Sequence, residues 1–218
     1  YGFLAANYLN LPHKIRHEPL VIDVDKATLL AATPTYQRAM TLFKYQRFLD
    51  ARKEWNLLVD ERPIEELETL AYLAAESGWH DRPIFTLSKV GYLNDVNLRF
   101  PLAYRQSFER AAEKSDVPLS LLFAVARRES SFITDAYSNA GAAGLMQLKP
   151  STASYVAKRR VSRHQLFQPN RNIELGARYL SRLFSKTDEH PVLSLAAYNA
   201  GIHKVERWLP KHAMSADA

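Results

Sequence analysis

Residues 121–150 read LLFAVARRESSFITDAYSNAGAAGLMQLKP, an apolar helical segment followed by a stretch rich in Gly, Ala and Ser. In the first part, Leu122, Val125 and Glu129 recur at helical spacing. At about 100° per residue, Leu122 and Glu129 project from nearly the same side of a helix. The segment therefore predicts a helix from about residue 118 to Glu129, with a carboxylate at the end of its apolar face.

A carboxylate in this position is a candidate general acid. Burial disfavours the charged form and so does the negative end of the helix dipole, so both should raise the pKa of Glu129. Arg127 and Arg128 are expected to point to the opposite, solvated side. Two other interpretations stay open: Glu129 swings outward at a frayed helix end, or it pairs with a nearby Arg. Asp135 is the nearest acid in the following loop, where a turn-forming role is favoured over a catalytic one.

The Gly-rich part of the segment carries groups suited to a sugar ligand. Gly141 and Gly144 flank two Ala and allow backbone to approach backbone or ligand closely. Gln147 presents an amide that can donate and accept hydrogen bonds with hydroxyl and N-acetyl groups. Further along, Tyr198 and Asn199 stand at a predicted helix end that a Gly closes. Irregular stretches of about 20 residues inside a domain are usually functional, so we expect the site here.

Apolar residues recur at helical spacing through most of the chain, which predicts an all-α protein. After a polar, extended stretch at 11–26, four short helices are predicted to stack as hairpins in a solenoid-like layer. They begin at Pro34, near Asp50, near Pro63 and at Asp81. Their inward residues are predicted to include Tyr36, Met40, Phe43, Ala51, Trp55, Leu58, Ile64, Leu67, Ala71, Ala74, Ile84, Phe85 and Leu87.

The helical pattern breaks at 92–104, which indicates a domain boundary. We expect a first domain at 1–98, without a catalytic group, and a second at 99–218. Helices of the second domain are predicted at 102–114, 118–129, 150–160, 172–185, 192–200 and 203–209.

The composition excludes several classes of protein. The chain has 218 residues, a formal net charge of +6 and no Cys, so disulfide scaffolds and Cys nucleophiles are excluded. No apolar run approaches the roughly 18–20 residues that span a bilayer. The charge favours an anionic partner without indicating nucleic acid, and the basic run at 158–164 is most simply a solvated face. His13 and His17 have metal-ligand spacing only on a helix, which Pro12 disfavours, so no metal site is expected.

Four motifs in the second half resemble those of the soluble lytic murein transglycosylases. They are E-S-x-F at 129–132, G-L-M-Q-L-x-P-x-T-A at 144–153, N-I-E-L-G-x-x-Y-L at 172–180 and A-A-Y-N-A-G at 196–201. The resemblance implies a helical superhelix and linker region followed by a lysozyme-like α domain with a small irregular or β lip. The chain departs from some relatives at Lys149, where they have Met. Relatives also continue beyond Trp208, so part of a cleft wall is expected to be missing.

The resemblance also implies roles for single residues. Glu129 matches the catalytic acid/base of the family, and no cofactor or metal is expected. Ser138 matches a serine that positions the N-acetyl group of muramic acid. Substrate contacts are expected from five residues: Ser138, Met146, Gln147, Tyr198 and Asn199. If the Tyr198 hydroxyl donates to Glu129, it would lower the pKa of the carboxyl, although desolvation should outweigh this effect.

The activity implied is cleavage of the β-1,4 bond between N-acetylmuramic acid and N-acetylglucosamine, with closure of a 1,6-anhydro ring. The expected partners are peptidoglycan glycan strands, with cell-wall synthesis or division proteins as further partners. A periplasmic or outer-membrane-associated monomer is expected, although the start at Tyr1 carries no export signal and indicates a piece of a longer or processed chain. Two alternatives stay open: a goose-type lysozyme-like hydrolase, and a non-catalytic peptidoglycan-binding scaffold.

Overall fold

The computed structural model describes residues 2–13 and 15–209 and confirms the all-α prediction. No strand forms among these residues; isolated bridges pair Tyr137 with Ala143 and Ala143 with Leu148. The chain separates into two compact units, Tyr1–Pro101 and Leu102–Ala218. The predicted boundary lay between 98 and 99. The end of the chain, where a cleft wall was expected to be incomplete, lies outside the described residues.

The first unit consists of helical hairpins. Its helices are α1 (Gly2–Tyr8), α2 (Val24–Ala31), α3 (Pro34–Lys44), α4 (Phe48–Asp60), α5 (Ile64–Glu76), α6 (Asp81–Val90) and α7 (Val96–Arg99). Helix α3 packs against α4 and α5 packs against α6, as the spacing of apolar residues predicts. The two indoles of Trp55 and Trp79 meet edge to face in the core, with ring centroids 5.3 Å apart.

Two of the predicted inward residues are exposed. Ile64 is the first residue of α5 and is 65% exposed, since it stands at the open end of the helix. Phe85 is 47% exposed and lies beside the Arg82 guanidinium, 5.2 Å from its ring centroid. Helices α1, α2 and α7 were not predicted. The start of α2 depends on Asp23, whose carboxylate accepts hydrogen bonds from the Asp25 and Lys26 amides.

The second unit is organised around one long helix. Its helices are α8 (Arg105–Ser115), α9 (Leu119–Glu129), α10 (Pro150–Ala157), α11 (Arg163–Leu166), α12 (Pro169–Phe184), α13 (Pro191–Ala200) and α14 (Ile202–Trp208). Helix α12 packs against α8, α10, α11 and α13. Helix α8 begins at Arg105 rather than 102 because Tyr104 has a left-handed backbone, with φ 56°. The irregular segment between α9 and α10 lies where the sequence predicts it.

Candidate active site

Glu129 is the last residue of α9 and lines two cavities, as its position on the apolar face predicts. The first cavity, about 380 Å³, also includes Val125 and Arg128 in its lining. The second, about 410 Å³, includes Ser138, Gln147 and Lys149. Glu129, Tyr198 and Asn199 line both. No other Asp or Glu lines either cavity among the residues that the structure describes.

The electrostatics of Glu129 favour the protonated form. Its side chain is half-buried, and this burial raises the pKa of the carboxyl above its ordinary value. Glu129 lines a cavity, so the outward-facing alternative does not apply. It forms no hydrogen bond or ion pair with a described residue, so the Arg-paired alternative does not apply either. The Arg128 guanidinium acts in the opposite direction and lowers the pKa. Arg128 is exposed and its effect is smaller than that of burial, as expected, but it does not point to the opposite side, because it lines the same cavity as Glu129.

The residue after Glu129 ties the end of α9 to the irregular segment. Ser130 is buried, and its hydroxyl donates to the Leu145 carbonyl at 2.7 Å, with the Ala126 carbonyl at 3.2 Å. A side-chain hydrogen bond next to Glu129 thus fixes the helix end against residue 145. The serine of the E-S motif is a positioning residue for the carboxylate.

The Gln147 side chain forms hydrogen bonds within the irregular segment. Its amide nitrogen donates to the Ala136 carbonyl at 3.2 Å and to the Gly144 carbonyl at 3.0 Å. Both amide hydrogens are therefore used inside the protein, and only the amide oxygen is available to the cavity. The prediction that this amide both donates to and accepts from a sugar is corrected to acceptance alone.

Ser138 and Asn199 keep groups that a ligand can reach. The Ser138 hydroxyl oxygen accepts from the Ala142 amide at 3.0 Å, which leaves its hydrogen to be donated. Asn199 is exposed and lines both cavities. Lys149 is exposed at the rim of the second cavity. Asp135, which the sequence makes a weak second carboxylate, lines neither cavity.

A hydrogen bond joins the Tyr198 side chain to the backbone of Met146. The Tyr198 hydroxyl donates to the Met146 carbonyl at 2.7 Å, so the proposed donation to Glu129 is wrong. Burial raises the pKa of Tyr198 well above its ordinary value, and the nearby Glu129 charge adds to this, which keeps the phenol protonated. The Met146 side chain is fully buried, and a Cβ at Gly176 would meet its sulfur at 2.4 Å. Met146 therefore supports the cavity wall instead of touching a ligand.

Asn172 lines neither cavity but supports the irregular segment, a role that its place in the motif at 172–180 did not predict. It is fully buried on α12, and its amide nitrogen donates to the Ala143 and Leu166 carbonyls, both at 2.9 Å. Its oxygen accepts from the Met146 amide at 2.7 Å. A Cβ at Gly144, where φ is +77°, would lie 2.4 Å from the Asn172 amide nitrogen. The signal in the sequence was a polar residue on the apolar face of a predicted helix.

No metal centre is found near these residues. Among the described residues, no group of three or more His, Asp and Glu is placed to hold a metal ion. His13 bonds to Asn7 at 2.6 Å, while the His17 ring accepts from the Val96 amide at 3.2 Å. The site therefore offers a single carboxyl of raised pKa in a cleft with hydrogen-bonding groups on its walls.

Two protein families match parts of the chain. The transglycosylase SLT domain matches residues 106–217, and the soluble lytic murein transglycosylase L domain matches residues 29–96. The soluble lytic murein transglycosylase of Escherichia coli K12 is 31% identical over 223 residues, covering 100% of this chain and 34% of the relative. A putative soluble lytic murein transglycosylase of Haemophilus influenzae is 30% identical, covering 97% of this chain and 36% of the relative.

Solved structures are similar over nearly the same span. An inactive mutant of the lytic transglycosylase Slt from Pseudomonas aeruginosa superimposes with a TM-score of 0.88 at 36% identity, covering 97% of this chain and 35% of that one. The 70 kDa soluble lytic transglycosylase of E. coli gives a TM-score of 0.88 at 31% identity, covering 94% and 34%. The chain thus spans about a third of the length of these relatives.

Proposed function

The chain belongs to the transglycosylase SLT domain family, and from this premise we propose that it is a peptidoglycan lytic transglycosylase. It would cleave the β-1,4 bond between N-acetylmuramic acid and N-acetylglucosamine and leave 1,6-anhydromuramic acid ends. The observation that carries the proposal is Glu129, a single carboxyl of raised pKa shared by two adjoining cavities. The Pseudomonas relative supports it, because the change in that inactive mutant replaces a Glu by Gln.

The mechanism needs one carboxyl because the substrate supplies the nucleophiles. Protonated Glu129 gives its proton to the glycosidic oxygen as the bond from C1 to that oxygen breaks. The carbonyl oxygen of the 2-acetamido group bonds to C1 and holds the positive charge. The Glu129 carboxylate then takes the proton of the muramoyl 6-hydroxyl, whose oxygen bonds to C1 and expels the acetamido oxygen. Glu129 ends protonated, and no water is consumed.

The surrounding residues divide into two groups in this proposal. Ser138, Gln147 and Asn199 contact substrate, through a hydroxyl hydrogen, an amide oxygen and an exposed amide. Met146 and Tyr198 are positioning residues, because the hydrogen bond from the Tyr198 hydroxyl to the Met146 carbonyl holds the backbone next to Gln147.

Among the described residues, no helix has the length and apolar character needed to cross a membrane. Peptidoglycan as substrate implies action in the periplasm, either free or at the outer membrane.

Mass spectrometry of the products from purified sacculi tests the proposal directly. We expect muropeptides with 1,6-anhydro ends, each lighter by one water than the corresponding hydrolysis product. Reducing ends would instead assign a lysozyme-like hydrolase. Binding to sacculi without any released product would assign a scaffold. Either of the last two results contradicts the proposal.

The pH dependence of cleavage should report Glu129 as an acid. Activity is expected to fall as pH rises through the raised pKa of Glu129, since only the protonated form can donate. Arg128 stabilises the ionised form, so Arg128→Gln should raise this pKa further and move the alkaline limb to higher pH. Arg127→Gln is the matched control, because the Arg127 guanidinium donates to the Ser131 hydroxyl at 3.3 Å. An equal shift in both variants would remove Arg128 as the specific cause.

Tyr198→Phe should lower the rate without moving that limb. The substitution removes the donor to the buried Met146 carbonyl, which costs roughly 1–3 kcal/mol of stability. It removes no hydrogen bond from Glu129, so the pKa of the carboxyl is expected to stay in place. The pH profile of kcat/KM, measured beside wild type, checks this. A limb displaced to higher pH would show that the hydroxyl donates to Glu129 in solution.

A further inference from the structure

One segment of the second unit accounts for the whole net charge of the chain. Residues 136–173 contain six Lys and Arg and no Asp or Glu, while the rest of the chain has 23 residues of each sign. Four exposed cations of this segment stand close together and line neither Glu129 cavity: Lys158, Arg159, Arg160 and Arg163. We call these four residues the basic surface. Charge of one sign at this density is suited to an anionic partner.

The protein does not neutralise the basic surface. None of its four side chains forms an ion pair or a hydrogen bond with a described residue. The nearest acid along the chain, Glu174, is already paired with Arg171 and Arg178. The Arg163 guanidinium lies 4.8 Å from the centroid of the Tyr137 ring, a contact that uses none of its N–H donors. The charges and donors of the basic surface are therefore available to a partner.

The loop that carries the basic surface is fixed to the core. Val161 lies between the cations in sequence and is buried in the same core cluster as Val156 and Leu166. Its backbone amide donates to the Ser154 hydroxyl at 2.9 Å. The next residue, Ser162, forms the capping box that begins α11. Because the backbone is already ordered, little conformational entropy is lost when the cations bind a partner.

The chemistry of the basic surface favours closely spaced phosphates. Three of its four cations are Arg, whose guanidinium binds phosphate oxygens in pairs. The headgroups of an anionic bilayer stand side by side, whereas a glycan strand carries its charged stems at intervals. Tyr137, beside Arg163, is 54% exposed, and tyrosine is favoured at the level of lipid headgroups. Four cations within six residues thus match a bilayer surface better than a glycan.

We propose that the basic surface docks the protein on anionic phospholipid headgroups. Basic clusters bind such surfaces electrostatically, and each Lys or Arg contributes about fivefold to the affinity. The docking does not depend on the reaction at Glu129. Helix α10 leads from Lys149, at the rim of the second cavity, to Lys158 in the basic surface, a length of roughly 12 Å. Docking therefore holds the candidate active site close to the bilayer.

Sedimentation with lipid vesicles tests the proposal. The protein should bind vesicles that contain phosphatidylglycerol but not vesicles of phosphatidylcholine alone, and salt should weaken the binding. Arg159→Gln combined with Arg160→Gln changes two exposed side chains without partners, so the variant should fold and bind about 25-fold more weakly. Arg159→Lys combined with Arg160→Lys keeps the charge and should bind within a few-fold of wild type.

A control on α8 separates the basic surface from net charge. Arg110→Gln combined with Lys114→Gln removes the same charge from exposed positions on a helix that also carries Glu109 and Glu113. This variant should bind phosphatidylglycerol vesicles within about twofold of wild type. An equal loss in the two Gln variants would overturn the inference, and so would wild-type binding that does not depend on phosphatidylglycerol.

Two further measurements separate the lipid from other partners and from the proposed function. Equally tight binding of a DNA oligomer, with the same dependence on Arg159 and Arg160, would assign a surface for polyanions in general and overturn the lipid assignment. Cleavage of soluble glycan fragments should be unchanged in the Arg159→Gln, Arg160→Gln variant, and a large loss would place the two residues in the cleft instead. Vesicle binding by a wild-type protein that cleaves nothing would support the docking surface while the proposed function fails.

Discussion

Glu129→Gln is expected to lower cleavage of peptidoglycan by at least about 100-fold while the protein stays folded. The amide has nearly the volume of the carboxyl but carries no proton that it can give to the glycosidic oxygen. General acid catalysis contributes roughly 10²–10⁴-fold, and the same carboxyl also serves as base in the second step. Because Glu129 makes no hydrogen bond to a described residue, the substitution should leave the surrounding contacts unchanged.

Two measurements separate loss of chemistry from loss of structure. The thermal unfolding midpoint of Glu129→Gln should match that of wild type, and binding to sacculi should persist. Asp135→Asn is the control, because Asp135 is the acid six residues later that lines neither cavity. It should keep activity within a few-fold. Residual cleavage above about one hundredth in Glu129→Gln would refute Glu129 as the acid, and a large loss in Asp135→Asn would indicate a second carboxylate.

The position of Glu129 could be predicted because it depends on local structure alone. Helical spacing places it on the side of Leu122 and Val125, both of which are buried. The upward shift in the pKa of Glu129 follows from the partial burial of its own carboxyl group. The position of Arg128 was predicted wrongly because a long side chain in the last turn of a helix can still reach a cavity at that end. The spacing of residues alone does not fix where a long side chain goes.

The partners of Gln147 and Tyr198 could not be predicted, because they are tertiary contacts. Gln147 bonds to Ala136, and Tyr198 bonds to the Met146 carbonyl, 52 residues away. A motif shows that an amide or phenol is present at a site but gives no sign of whether its hydrogens are already used. Met146 illustrates the same limit, since this residue of the irregular segment packs closely on Gly176 of α12.

The short helices were missed for a different reason. Helices α7 and α11 span four residues each, too few to show helical periodicity. Their starts are marked by single capping residues instead: the Asp95 carboxylate accepts from the Leu98 amide, and Ser162 forms a capping box with Gln165. Such caps are visible in a sequence but occur in many turns as well.

Asn172→Ala is expected to destabilise the second unit by about 3–5 kcal/mol, the largest effect on stability that we predict for one side chain. The substitution removes three hydrogen bonds and leaves the Leu166 carbonyl and the Met146 amide without these partners in a buried site, while the Ala143 carbonyl keeps the Leu148 amide at 3.2 Å. Each buried polar group without a partner costs roughly 1–3 kcal/mol. Asn170→Ala is the control on the same helix, since Asn170 is exposed and accepts one hydrogen bond from Ser107. It should change stability by less than about 0.5 kcal/mol.

Hydrogen exchange of the Met146 backbone amide can measure the loss of its hydrogen bond to Asn172. The Met146 amide, which donates to Asn172 at 2.7 Å, should exchange much faster in Asn172→Ala than in wild type or Asn170→Ala. Asn172→Asp tests the reason, because it keeps the acceptor but turns an oxygen toward the Ala143 and Leu166 carbonyls. It should therefore be at least as damaging as Ala. If Asn172→Asp were as stable as wild type, donation to the two carbonyls would contribute little. The segment that carries Gln147 would then be held mainly by Ser130, by Tyr198 and by the packing of Met146 on Gly176.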